Sequence, residues 1–372
     1  TLDMIFPEVY LEQEDYEERL KNINASMTDY LEKKIFTEYK DAMIYVERTD
    51  SVGNVRAGIV GKIDLEQYDY SKKSTSLIRA TEATVAERIP TRVEIRKNAV
   101  VEIPHIMLLI DDAGEYVIEP CKKEKQHLPL LYDFDLMMGG GHLCGYLLGT
   151  EEQERIQKAL SFLADSKCFS DKYHVKDRPV LLFAVGDGNH SLAAAKEYYE
   201  QLKAAHPDED LSEHPARYAL VEVVNLHSPA LKFEAIHRIV TGVHVEDLIS
   251  KMNTALHIKR EGKGQTFYTI YKGKKKKCVI ERPTSKLTVG SLQRFLDNYL
   301  AQNGGKIDYI HGEEVVESLA SEQDSIGFVL QDMGKEELFP TVIHDGALPR
   351  KTFSMGHAQD KRYYAECRKI RK

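Results

Sequence analysis

The strongest constraint on this chain is a run of seven apolar residues, Pro179-Val180-Leu181-Leu182-Phe183-Ala184-Val185, that ends in Gly186-Asp187-Gly188-Asn189-His190-Ser191. Leu192-Ala193-Ala194-Ala195-Lys196 then opens a helical pattern that continues through Tyr198, Tyr199 and Leu202. A short apolar run bounded by turn signals predicts a buried strand over 179–185. A strand that passes through a glycine-rich turn into a helix presents backbone N–H groups and the positive end of the helix dipole at one point, which makes an anion site. The loop is neither a Walker A sequence nor G-x-G-x-x-G. Pattern alone leaves a plain reading level with the first, in which Gly188 makes a tight turn and Asn189 or Ser191 is an ordinary N-cap.

The 372 residues suffice for two ordinary domains, and 42% hydrophobic against 30% charged residues describe a soluble globular chain with a sizeable core. A net charge of −8, from 51 basic and 59 acidic residues, supplies no positive field for nucleic acid or an anionic membrane. Neither is expected as a partner. Five cysteines (Cys121, Cys144, Cys168, Cys278, Cys367) stand far apart without a C-x-x-C pair, as expected of reduced thiols in a cytoplasmic protein. No apolar run reaches the roughly 20 residues of a membrane helix.

Along the chain, residues 11–35 carry Leu11, Tyr16, Leu20, Ile23, Met27 and Leu31 at helical spacing. Residues 42–46 and 55–60 flank the turn Asp50-Ser51-Val52-Gly53-Asn54, which predicts a hairpin. Thr81, Thr84 and Glu87 read as a helix start, with Pro90 opening a second helical segment. A second hairpin is expected between 105–110 and 116–119, and a third between 131–137 and 143–148 around Gly139-Gly140-Gly141. Residues 150–165 form a helical stripe, and strands are expected over 217–226 and 233–240. Lys274-Lys275-Lys276-Lys277 reads as the solvated tip of a hairpin. Hairpins alternating with helical crossovers predict mixed β-sheets with flanking helices, an α/β (mixed α+β) fold. A main domain over 1–242 and a C-terminal α/β portion over 243–372 are the expected division.

Several catalytic patterns are absent. There is no G-x-S-x-G elbow and no H-E-x-x-H. Gly188-Asn189-His190 has the G-N-H of binuclear metallophosphoesterases but lacks their upstream D-x-H. What remains is an anion loop, cations and an acid. Asp187 beside a bound phosphate would be repelled unless a metal ion or a proton intervenes, so it suits a Mg²⁺ ligand or a base that takes a hydroxyl proton. Its plain alternative is a turn cap. His190 suits a donor to phosphate oxygen or a bridge from loop to sheet. Arg79, Arg88, Arg92 and Arg96 suit polyphosphate clamping or a solvated helix face paired to Glu82, Glu87 and Glu94. Arg79 and Glu82 stand apart because they fall at the expected helix start. His237-Arg238 and Pro349-Arg350-Lys351-Thr352 are further cationic candidates.

Asp187-Gly188-Asn189-His190-Ser191-Leu192-Ala193-Ala194 resembles the D-G-H-H-R-x-x-A loop of the ParB/sulfiredoxin superfamily, which holds nucleotide phosphates at a helix start. Arg79-Ala80-Thr81-Glu82, Ile89-Pro90-Thr91-Arg92, Tyr132-Asp133-Phe134-Asp135-Leu136, Phe233-Glu234-Ala235-Ile236-His237-Arg238 and Leu348-Pro349-Arg350-Lys351-Thr352-Phe353 resemble the bacterial family called domain of unknown function 1015. The superfamily includes free-serine kinases, CTP-hydrolysing DNA clamps and ATP-using sulfiredoxins, and members of the narrower family tend to begin upstream of Thr1. The resemblance implies a ParB/sulfiredoxin-like core elaborated by hairpins, with ATP or another nucleotide and Mg²⁺ as cofactors. It places Gly188, Asn189, His190 and Ser191 at the phosphates, and Gly186, which opens the turn, is expected beside them. Arg79, Thr81, Arg92, His237 and Arg238 are their expected companions. Asp187 or Glu82 is the base, and Asp187 the metal ligand. Ser191 stands where the family loop has arginine, so Arg79, Arg92 or Lys196 must substitute or nucleotide binding weakens. The expected activity is ATP- and Mg²⁺-dependent phosphoryl transfer to a small hydroxylated metabolite, serine-like by resemblance, with a homodimer left open. The alternative is a non-catalytic nucleotide-binding regulatory module. A peroxiredoxin-repair enzyme would need a reactive cysteine near the loop, and the nearest in sequence is Cys168.

Overall fold

A computed structural model describes residues 2–11, 13–84, 86–103, 106–356 and 364–371. It divides into two compact units, one of residues 1–231 with the C-terminal segment from 357 and the other of residues 232–356. The expected division near residue 243 lies one strand beyond this point.

The first unit is built on a nine-stranded sheet. Its strands are β1 (Met43–Thr49), β2 (Val55–Asp64), β3 (Tyr68–Asp69), β4 (Ile78–Ala80), β6 (Ile106–Ile110), β7 (Leu130–Asp135), β8 (His142–Leu148), β9 (Phe183–Asp187) and β10 (Tyr218–Asn225). They run in the order β3-β4-β9-β6-β10-β2-β1-β8-β7. The pairs β3–β4, β4–β9 and β6–β10 are parallel and the others antiparallel, so the sheet is mixed as expected. A separate two-stranded piece joins β5 (Val101–Glu102) to β18 (Arg368–Lys369) near the C-terminus.

Strand alternation gives the sheet two faces of different character. Tyr45, Ile59, Leu108, Val185 and Val221 point into the main apolar core. There they meet α3 (Glu119–Glu124) through Cys121, α4 (Thr150–Leu163) through Ile156, and α6 (Asn189–Ala205) through Leu192, Ala195 and Tyr199. The interleaved residues Val46, Val60 and Leu220 point the other way and form a small cluster of their own. On that second face Gly58 leaves space that Glu222 fills, since a Cβ there would stand 2.6 Å from Glu222 Oε1. Gly58→Ala is therefore expected to destabilise the protein by about 1–3 kcal/mol, the usual cost of overpacking, measured by urea denaturation.

The second unit carries β11 (Phe233–Thr241), β12 (Ile258–Lys259), β13 (Gln265–Tyr271), β14 (Lys274–Ile280), β15 (Lys306–His311), β16 (Ser325–Leu330) and β17 (Phe353–Met355). They form one sheet in the order β12-β14-β13-β16-β11-β15, with β17 added to β11. The other helices are α1 (Tyr16–Glu32), α2 (Ile89–Lys97) and α5 (Ser166–Tyr173) in the first unit, and α7 (Val245–Ala255), α8 (Thr288–Asn303), α9 (Glu313–Leu319) and α10 (Leu338–Asp345) in the second. Among the described residues no helix is long and apolar enough to cross a membrane.

Three sequence expectations are corrected. The hairpin over 105–119 does not form: Ile106–Ile110 pairs with β9 and β10, and Glu119 begins a helix with Pro120 in its first turn. His105 lies outside the described residues. The first helix expected after Thr81 is a single 3-10 turn at Ala86–Arg88, and the helix proper starts at Ile89 beside Pro90. The lysine run 274–277 lies along β14, and the tip is Lys272-Gly273, both at positive φ. Tyr268 stands opposite Lys277 and Thr269 opposite Lys276, so cross-strand pairing holds these lysines in the strand.

Candidate functional site

Two neighbouring parallel strands, β4 and β9, run side by side, and β9 continues two residues past the end of β4. Ile78, Arg79 and Ala80 lie beside Phe183, Ala184 and Val185, and Glu82 follows two residues beyond the end of β4. The buried Thr81 hydroxyl fixes these ends by donating to the Val185 carbonyl at 2.5 Å. The crevice beyond the carboxyl ends of parallel strands is where open α/β sheets bind ligands.

Asp187 reaches this crevice through an irregularity in β9. Val185 lies opposite Leu108 and Asp187 opposite Met107, so Gly186 is an extra residue in the strand. Unbroken alternation would place Asp187 on the side of Phe183 and Val185, in the apolar core. The bulge moves it to the opposite face. The expected strand over 179–185 is therefore shifted: Leu182 and Phe183 both donate to the Leu77 carbonyl, and the ladder runs from Phe183 to Asp187.

The expected six-residue loop over 186–191 contracts to Gly188. This residue adopts φ 84° and ψ 23°, a left-handed conformation open to glycine, and turns the strand directly into α6. The first helical bond runs from the Leu192 N–H to the Gly188 carbonyl at 2.9 Å. The amides of Asn189, His190 and Ser191 thus fall in the first turn, where no intrahelical acceptor exists. Asp187 Oδ1 accepts from the Gly188 N–H at 2.8 Å, which holds the carboxylate beside that turn. Asn189 is buried and its Nδ2 donates to the Val185 carbonyl at 3.5 Å, while its Oδ1 has no partner. Its side chain therefore faces the strand, and its backbone amide belongs with those of His190 and Ser191 to the first turn of α6.

The cations expected around the loop separate into different roles. Arg79 is buried, and it donates through Nε to the Ser76 carbonyl at 2.8 Å and through Nη2 to those of Pro179 and Val180 at 2.8 and 3.1 Å. It lies in β4, not at a helix start, and works as a clasp between two chain segments. Burial pushes its pKa down, with Arg178 adding to the shift. Arg79→Ala should cost about 2–4 kcal/mol by stranding these carbonyls and leave nucleotide affinity of the folded protein unchanged, which denaturant titration and calorimetry would check. Lys196 is paired with Glu200 at 2.6 Å and Glu66 at 3.6 Å. Arg92 lies on α2, which packs on α6 through Ile89 and Val93 against Ala193 and Ala194, and its Nη1 donates to the Arg88 carbonyl at 3.1 Å. The alanine run thus serves close helix packing beside the loop.

His237 and Arg238 belong to β11 in the second unit. His237 is buried, its Nδ1 accepts from the Leu330 N–H at 3.3 Å, and burial pushes its pKa down, which favours the neutral ring. Arg238 is fully buried. It donates to Gln293 Oε1 at 3.1 Å and to the Arg350 carbonyl at 3.3 Å, and it stacks on Tyr309.

Among the described residues no group of three His, Cys, Asp or Glu side chains is placed to hold a metal ion. The donors at the strand ends are hard carboxylate oxygens, and Mg²⁺ typically takes only one or two of these, completing its shell with water and substrate phosphate. Asp187, held beside the first turn of α6, fits that requirement. All five cysteine thiols are shifted up, Cys168 by the Asp165 carboxylate and the others mainly by burial, so none is activated for sulfur chemistry.

Sequence reasoning missed a group of charges on the same face as Asp187. Arg56 meets Glu222 in a two-pronged pair, with Nε–Oε1 and Nη2–Oε2 both at 3.0 Å, and Glu222 is 1% exposed. Arg48 lies opposite Arg56 in the β1–β2 register and is 4% exposed. The available signal was a carboxylate at the centre of Ala219-Leu220-Val221-Glu222-Val223-Val224.

Comparison with known proteins agrees with the sequence resemblance. Residues 1–299 match the family described as Protein of unknown function (DUF1015). No curated protein matches the chain. A solved structure of a free serine kinase in complex with AMP is similar over 90% of this chain and 96% of its own, with a TM-score of 0.45 and 10% identity. A conserved hypothetical protein from Pyrococcus furiosus is similar over 84% of this chain and 95% of its own, with a TM-score of 0.42 and 10% identity. SbnI with a C-terminal truncation, from Staphylococcus aureus, is similar over 80% of this chain and 83% of its own, with a TM-score of 0.40 and 10% identity. With 299 of its 372 residues matched, the chain belongs to the family Protein of unknown function (DUF1015).

Proposed function

We propose that the chain is an ATP- and Mg²⁺-dependent phosphotransferase that acts in the cytoplasm on a small hydroxylated metabolite of the serine type. One observation carries this reading: the bulge at Gly186 and the left-handed Gly188 together set the Asp187 carboxylate beside the first-turn amides of α6. The amides of Asn189, His190 and Ser191 hold phosphate oxygens, with the helix dipole adding to the attraction. Arg92 and the His190 ring steady the polyphosphate from the side. Thr81 keeps the two strand ends in register, and Asp187 takes the proton of the acceptor hydroxyl, with Glu82, two residues beyond β4, as the second candidate base. Mg²⁺, when bound by Asp187, neutralises charge on the transferred group. In this reading Arg79, His237 and Arg238 act through the scaffold.

A second reading, a nucleotide-binding module without turnover, has one observation in its favour. Ser191 stands where the related loops carry arginine, and Arg79 and Lys196 are committed to other partners. Calorimetry with ATP and Mg²⁺, followed by assay for a phosphorylated product, separates the two. Binding with turnover supports the transferase, and tight binding without turnover supports the module.

A further inference from the structure

The parallel strands β6 and β10 end side by side, with Ile110 next to Asn225, and the Leu226 N–H donates to the Ile110 carbonyl at 2.9 Å. β9 runs antiparallel to β6 and sets Asp187 opposite Met107, near the start of β6, so this is the opposite end of the strands from the phosphate loop. Asp111 follows β6 here and His227 follows β10. Asn225, 2% exposed, sets the corner between them. Its Oδ1 accepts from the His227 N–H at 3.2 Å, and its Nδ2 donates to the Asp112 carbonyl and to Glu119 Oε1, both at 2.9 Å.

The Asp111 carboxylate gathers three donors, two of them from the end of α5. His227 Nε2 lies 2.7 Å from Oδ1, Lys172 Nζ lies 2.9 Å from the same oxygen, and the Tyr173 hydroxyl donates to Oδ2 at 2.5 Å. Burial pushes the Asp111 carboxyl up, but these donors outweigh it and hold the group below its ordinary value. An ionised carboxylate only accepts, so Nε2 of His227 carries a proton and, in the neutral ring, Nδ1 carries the lone pair. Nδ1 has no hydrogen-bond partner among the described residues. The Asp111 side chain is 13% exposed, whereas those of His227 and Lys172 are each 38% exposed. A sunken carboxylate therefore fixes the tautomer and orientation of a ring whose other nitrogen is open.

This arrangement suits one chemistry. An imidazole whose N–H rests on a carboxylate can attack through its second nitrogen, because the carboxylate stabilises the positive ring that results. The Lys172 ammonium, on the same carboxylate oxygen, stands beside the ring and offsets negative charge brought to it. We propose that His227 is a phosphoacceptor whose Nδ1 takes a phosphoryl group from a donor with a P–N bond, with Asp111 as its positioning residue. The Nδ1 lone pair forms a bond to phosphorus, and the donor P–N bond breaks with its electron pair leaving on the donor nitrogen. Phosphoramidate, protonated on nitrogen, loses that nitrogen as ammonia. The Nε2 proton stays on the ring, and the phospho-imidazolium keeps its hydrogen bond to Asp111. One P–N bond is exchanged for another, so the step needs no further reagent. The proposal is independent of the phosphotransferase reading.

The test incubates the full chain with phosphoramidate and follows phosphorylation by peptide mass spectrometry, with phosphorus NMR to tell the Nδ1 isomer from the Nε2 isomer. His227 should be labelled faster than the exposed His127 and His257, and on Nδ1. His227→Gln should remove that signal. Asp111→Asn should slow labelling of His227 by roughly tenfold or more, as loss of the group orienting an imidazole does, and should spread the label over both ring nitrogens. Lys172→Gln, at an exposed position, should also slow it, and it carries the test if Asp111→Asn does not fold. No label on His227, label on Nε2 in the wild type, or labelling no faster than at His127 and His257 would each overturn the proposal. So would a wild-type rate and isomer pattern in both Asp111→Asn and Lys172→Gln.

Discussion

Glu222→Ala is expected to destabilise the first unit by about 3–5 kcal/mol, the cost of leaving a buried charge without its partner. The carboxylate is almost wholly buried and accepts both prongs of Arg56, whose side chain is 15% exposed. Burial already pushes the pKa of the neighbouring Arg48 down, and Glu222 is the largest influence opposing that shift. Removing the carboxylate therefore leaves Arg56 without its fork in a poorly solvated place and opens a void above Gly58. Glu222→Gln keeps the volume and one acceptor, so it should cost less. Urea denaturation of the two variants against wild type reads the difference. A loss below about 1 kcal/mol for Glu222→Ala would place this pair in the class of weak, solvent-screened bridges.

The fold was legible wherever periodicity and turn chemistry agree. The hairpin around Asp50–Asn54 forms because Asp50 Oδ1 accepts from the amides of Val52 and Asn54, which closes the turn that the residue types announce. The helix over 150–163 and the strand over 218–225 follow their apolar patterns in the same way. Residues 116–119 were not legible, because a short apolar stretch reads alike as strand or helix and the decision falls to packing against Cys121 and Ile156. Arg79 was misplaced for a related reason. Next to Thr81 and Thr84 it looks like part of a helix start, and only the parallel pairing of β4 with β9, set by residues a hundred positions away, makes it a buried clasp.

At the site, the strand–turn–helix was visible in the residue types, and the orientation of Asp187 was not. A one-residue bulge leaves the same composition and reverses the face, and nothing in the local pattern of Val185-Gly186-Asp187 reveals it. The charges of Arg48, Arg56 and Glu222 were hidden more deeply. They lie on three strands, and their meeting depends on the register of β1, β2 and β10 and on the missing side chain at Gly58.

The second large effect concerns Asp187. With a carboxylate serving as base, Asp187→Asn should lower phosphoryl transfer by about 10²–10⁴-fold. The substitution preserves shape and an acceptor oxygen for the Gly188 N–H, so stability should change by less than about 1 kcal/mol. Nucleotide binding should persist, since the first-turn amides of α6 remain and a negative charge near the phosphates is gone. His190→Ala should raise the KM for ATP more than it lowers kcat, the split expected of a phosphate contact.

The most direct test incubates the purified chain with γ-labelled ATP, Mg²⁺ and a panel of hydroxy amino acids, with wild type and Asp187→Asn side by side. The phosphotransferase reading predicts a labelled phospho-product from wild type, lost in Asp187→Asn, with a nucleotide-induced rise in melting temperature for both proteins. No product and no thermal shift in wild type, or equal product from both proteins, would contradict it.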